Sequence, residues 1–151
     1  DYFADLPGMI SLAPVPFAQY PMITRQIDIG LAPLDYKDGF NDSKSDVKAL
    51  EYSVSRRRLD DGSYGGAAVI ATDHKVYRRS CSNRHNALLV RNHSDADEWA
   101  ETICTLIEDV HLRRRLQKNA NKWVVQNRNI NTAWPLWARA YSDMLANRKE
   151  V

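Results

Sequence analysis

Three short runs in this chain are apolar almost without a break: IDIGLAPL from Ile27, AAVIAT from Ala67 and ALLV from Ala87. A strand with one wet face alternates polar and apolar residues, whereas a strand covered on both faces does not. Asp28 is the exception within the first run. Such runs belong to a parallel sheet between helices, and ISLAPV from Ile10 reads as a further strand of it. Helical patterns fall between the runs, at Tyr20 to Gln26, Ser45 to Val54 and Lys75 to Ser80. The alternation predicts an α/β fold, a Rossmann-like parallel sheet with flanking helices.

Past the last strand the period becomes helical. Trp99, Ile103, Leu106, Ile107 and Val110 form one stripe, and Asp95 with Glu98 three residues on predicts a capping box. Leu112, Leu116, Ala120, Trp123 and Val124 continue into a second helix. A third starts near Thr132, takes Pro135 in its first turn, and aligns Trp134, Trp137, Ala138, Tyr141 and Leu145. Aromatic residues at that spacing pack against another surface rather than stack on a sugar. The stretch SRRRLDDGSYGG from Ser55 has no apolar period and three glycines, which predicts a surface loop.

A chain of 151 residues suffices for one domain with a core, but not for two large lobes around a cleft. With 44% hydrophobic and 26% charged residues and a net charge of +2, it has the balance of a soluble globular protein and no field to recruit nucleic acid. Cys81 and Cys104 lack metal-ligand or CxxC spacing and read as reduced thiols of a cytoplasmic protein. His74, His85, His93 and His111 are scattered, which predicts surface residues and no metal site. Arg113 to Arg115 reads as a solvated helix face, and Arg56 to Arg58 is open between a phosphate contact and solvent. No run reaches the roughly 18 apolar residues of a membrane span, and the start DYFADLPG lacks the regions of a signal peptide.

The chemistry concentrates after the first of the three apolar runs, IDIGLAPL. The loop DYKDGFNDSK leads into a helix with Ser45 as its N-cap candidate and Lys44 beside it. In open α/β sheets ligands sit beyond the carboxyl ends of the strands, and a helix start there offers unpaired N–H groups to a phosphate. Val47, Leu50 and Val54 mark a buried stripe, with Glu51 close beside it. A carboxylate so placed either pairs with Lys48 one turn back or accepts hydrogen bonds from two vicinal hydroxyls, such as those of a ribose.

The run YPMITRQIDIGLAPLDYKDGFNDSKSDVKALEYS resembles the donor segment of the group 1 family of GT-B glycosyltransferases, in which an aDIGLAPL strand precedes FNxxKSxxKxLEY, a PVIAS strand and a NGLLV strand. Here these stand at Asp28 to Leu34, Phe40 to Tyr52, Ala68 to Thr72 and Asn86 to Val90, and the likeness extends over about Ile10 to Arg128. It implies a nucleotide-sugar-binding, carboxy-terminal domain over residues 1–151, truncated at its amino end and inactive without the acceptor lobe. The reaction implied is sugar transfer from a nucleotide-diphosphate donor to a glycan or lipid-linked acceptor in polysaccharide biosynthesis. No cofactor beyond the donor and no metal is implied, and the place of work is the cytoplasm, with the inner face of the membrane as an alternative.

By the same resemblance Glu51 holds the donor ribose, and Ser45, Asp46 and Val47 present amides to the diphosphate that Lys44 neutralises. Phe40 and Asn41 shape the sugar pocket, Val15 and Pro16 take the base-binding position, and no catalytic residue is identified. Three departures stand out. Ser43 occupies the place of a second Glu, the ten residues Arg56 to Gly65 are inserted where they could cover the site, and the glycine-rich strand and phosphate-gripping basic residues have no counterpart. A non-catalytic interaction module of the same fold, or a nucleotide-sugar epimerase, remain the alternatives.

Overall fold

The computed structural model describes residues 7–35, 37–55 and 57–147. Of the residues quoted above, the first six of the chain, Tyr36 of the loop after IDIGLAPL and Arg56 lie outside that description. The elements are α1 (Tyr20–Thr24), β1 (Ile29–Ala32), α2 (Val47–Val54), β2 (Arg57–Arg58), β3 (Tyr64–Gly65), β4 (Ala68–Thr72), β5 (Ala87–Val90), α3 (Ala96–Glu108), α4 (Val110–Asn127) and α5 (Ile130–Asn147), with 3₁₀ turns at Phe17–Gln19, Gly39–Ser43 and Tyr77–Arg79.

β1, β4 and β5 form a parallel sheet in that spatial order, with Ile29 opposite Ala68 and Val69 opposite Ala87. The central strand β4 is buried at every position, because both of its faces are covered. Val69 and Ala71 pack with Ala32, Ala49 and Val76 on the α2 side, while Ala68 and Ile70 pack with Leu106, Leu112 and Leu116 on the α3–α4 side. This accounts for the unbroken apolar runs, and the chain is a Rossmann-like α/β fold.

α2 lies close on β1 through small residues. Ala49 and Ser53 are its buried positions, and the ring of Tyr52 lies so near Gly30 that a Cβ there would come within 2.5 Å of it. The buried stripe expected at Val47, Leu50 and Val54 is therefore wrong: Val47 is 51% and Val54 50% exposed. Of the three, Val54 lines the cleft described below.

Other expectations are also corrected. ISLAPV is not a strand; Ile10 and Leu12 are exposed, and no ladder partner lies beside them among the described residues. β-propensity reflects packing and pairing, so an apolar run without a neighbour stays unpaired. Lys75 to Ser80 contains one short 3₁₀ turn instead of a helix. The stretch after Ser55 is not a bare loop but the antiparallel β2–β3 hairpin, turning through Gly62 at φ +80°. Its acids reach α4, with Asp60 2.6 Å from Arg114 and Asp61 2.6 Å from Lys118. The hairpin feeds the amino end of β4, and none of its described residues lines the cleft beside Glu51.

α3 and α4 hold the other layer. Asp95 caps α3, and Asp109 caps α4 by accepting from Leu112 N. α5 carries its aromatic stripe without burying any residue: Trp134, Trp137 and Tyr141 are all exposed, and the last two rings lie 6.4 Å apart. The packing expected of them is not made within the described residues. No helix is long and apolar enough to cross a membrane among those residues.

Candidate functional site

The carboxyl ends of β1, β4 and β5 gather a polar cluster. From β1 the chain runs through Asp35 into the turn Gly39–Ser43 and on to α2. Asn41 anchors that turn: it is 4% exposed, and its Nδ2 donates to the Asp35 carbonyl at 2.6 Å. Its Oδ1 is buried without a hydrogen-bond partner among the described residues. Phe40 projects into solvent beneath the Lys44 ammonium, 5.6 Å from the ring centroid.

Two histidines clamp the same loop. His74, buried just past β4, accepts from Val76 N at Nδ1 over 3.1 Å, which leaves Nε2 to face Asp42 at 3.2 Å. Lys75 reaches the other Asp42 oxygen at 2.8 Å. The Lys75 hydrogen bond, aided by the neighbouring positive charges, holds the Asp42 carboxyl below its ordinary range. Past β5, His93 lies 3.1 Å from Asp35. The expectation that the histidines sit on the surface fails for these two, because the sheet edge supplies each with a carboxylate. No group of three or more His, Cys, Asp or Glu side chains fit to hold a metal occurs among the described residues.

The start of α2 is one residue later than expected. Ser45 is exposed and outside the helix, and Asp46 stands at the N-cap. Its side chain makes no capping hydrogen bond. Asp46 is instead buried against Arg128, whose Nη2 donates to Oδ2 at 3.0 Å across 82 residues of sequence. The first amides of α2 are thus uncapped by any side chain, and Lys44, Ser45 and Val47 around them are exposed. Arg128 was not foreseeable: nothing in its local sequence points to Asp46.

Glu51 lies one turn further along the same side of the helix as Val47, about 6 Å on by helical rise. The alternative pairing with Lys48 is not made. Tyr20 of α1 donates its phenol to Glu51 Oε2 at 3.3 Å instead. Burial, then the charge of Glu51, raises the Tyr20 phenol above its ordinary pKa. The two side chains share a cleft of about 220 Å³ with Phe17, Pro21, Arg25 and Val54. Its lining is mostly apolar, with the carboxylate as its acid and Arg25 as its base.

The residues assigned to the base, Val15 and Pro16, are exposed and lead directly into the turn whose first member, Phe17, lines this cleft. The fold thus brings Phe17 and Glu51 to one cleft, leaves Val15 and Pro16 outside its lining on the chain just before it, and gathers Lys44, Ser45, Asp46 and Val47 at the helix start beside it. Asn41 stays inside the loop and Phe40 outside it. Such an arrangement offers a carboxylate for hydroxyls, an apolar wall for a flat ring, and a helix dipole with a lysine for an anion. A comparison with protein-family models, with curated proteins and with solved structures finds no match for this chain.

Proposed function

We propose that the chain is the donor-binding lobe of a glycosyltransferase of the GT-B type, taking a nucleoside-diphosphate sugar as donor. The observation that carries this reading is the Glu51 carboxylate at the cleft of Tyr20 and Val54, one turn inward from an uncapped helix start. In this reading the ribose hydroxyls donate to Glu51, the base lies on the apolar wall beside Phe17, and the diphosphate meets the amides of Val47 and its neighbours with Lys44. As the glycosyl bond breaks, charge grows on the diphosphate, and a fixed dipole with a lysine stabilises that leaving group. In this reading Phe40, exposed on the loop next to that corner, meets the sugar.

The acceptor, a glycan or lipid-linked saccharide, is held by a second lobe, since transfer needs both reactants in a closed, water-poor cleft. The same reading sets the work in the cytoplasm. One observation favours a second reading, a non-catalytic module: the aromatic face of α5 is exposed and suits a protein partner. Glu51→Ala separates the two. Nucleoside diphosphates of uridine, guanosine, adenosine and cytidine are titrated into the chain and followed by amide shifts. One of them binds the wild type, and the variant loses about 10- to 100-fold in affinity, as expected for hydrogen bonds to a charged group, with an unchanged melting curve. A wild type that binds none, or a variant that binds equally well, defeats the transferase reading.

A further inference from the structure

We infer that Tyr20 is a positioning residue for Glu51, orienting its carboxylate toward a vicinal diol and thereby setting the preference of the site for ribose over 2′-deoxyribose nucleotides. This rests on the donor reading above and adds to it a residue that the sequence did not mark.

Glu51 has no ion pair with a lysine or arginine among the described residues, and its one direct hydrogen bond there is the phenol of Tyr20. A glutamate with several rotatable bonds and no partner samples many orientations, and binding must order it. The phenol limits that sampling from the Oε2 side. A carboxylate offers about four lone-pair sites, so Oε1 and the rest of Oε2 stay available to the cleft. Tyr20 opens α1 with Pro21 next to it in the first turn, and the buried Thr24 ties the helix together by donating to the Pro21 carbonyl at 3.2 Å. β1 begins at Ile29, a few residues after α1.

The 3.3 Å separation is long for an O–H···O bond. The phenol therefore directs the carboxylate without tying it up, which predicts a modest effect on ligand preference. Its raised pKa keeps it a proton donor across the neutral range. Removing only the hydroxyl leaves the ring, and with it the packing of the cleft wall.

The test titrates each of the four nucleoside diphosphates and its 2′-deoxy counterpart into the wild-type chain, Tyr20→Phe, Glu51→Ala and the double variant. The wild type is expected to prefer the ribo form by about tenfold or more. Tyr20→Phe should shrink that preference by about threefold, Glu51→Ala should abolish it, and the double variant should match Glu51→Ala, as residues acting through one contact are not additive. A role limited to packing would weaken both ligands alike and leave their ratio unchanged. That ratio compares two ligands on the same variant, so a shared loss of folded protein cancels from it. An unchanged ratio in Tyr20→Phe, or additivity in the double variant, overturns the role of Tyr20 while the donor reading stands. A wild type that binds no diphosphate overturns both.

Discussion

α2 and α3 both begin at an aspartate, yet the two helix starts are built in opposite ways. At α3 the Asp95 carboxylate accepts from Asp97 N and Glu98 N, each at 3.0 Å. The Glu98 side chain then turns back to accept from Arg91 N at 2.8 Å and Asn92 N at 2.9 Å. That end is closed by its own neighbours. At α2 the aspartate leaves the amides and goes inward to Arg128, 82 residues away. The lesson is that a capping residue type marks a helix start, while a distant partner decides whether the amides stay open. Open amides at a strand's carboxyl end are where an anion can bind; closed ones serve stability.

The largest expected effect that sharpens this contrast concerns thiols. Cys81 lies at the inner side of the α2 start, where burial pushes its thiol up to about 11 and the Asp46 charge adds to the rise. Cys104 on α3 is exposed. At pH 8, iodoacetamide should modify Cys81 at least ~100-fold more slowly than an ordinary thiol, from a rise of two pH units, with Cys104 reacting first. Because the folded value is raised, the contribution of the neutral thiol is complete below pH 9 and is lost as the pH climbs toward 11. Comparable rates for the two cysteines would mean that the α2 start is wet on its inner side.

Next in size is the cap itself. Asp95→Ala should lower stability by about 1 kcal/mol, measured by denaturant unfolding, without altering nucleotide affinity. Ser45→Ala should change stability by less than about 0.5 kcal/mol, since Ser45 stands exposed outside the helix. A loss with Ser45→Ala as large as that with Asp95→Ala would make the two helix starts alike.

The same contrast explains what could be read in advance. β4 and its neighbours were legible because burial on both faces writes itself into consecutive residues, and α3 because its cap and stripe are local. Half of its capping box was not: Glu98 reaches Arg91 and Asn92 instead of the amide of Asp95. The face of α2 was misread since an apolar stripe looks the same whether it meets the sheet or lines a cleft, and Ala49 with Ser53 carried no signal of burial. Glu51 could be singled out by position, but its partner Tyr20 lies 31 residues earlier on another helix. The clamp of Asp42 by His74 likewise exists only once β4 and the loop after β1 end side by side.

The most direct test follows amide resonances at both helix starts during titration with the nucleoside diphosphates. The account predicts shifts at Val47, Lys48 and Ala49 and at Glu51, with Ala96, Asp97 and Glu98 unmoved. Silence at α2, or equal movement at both starts, would contradict it.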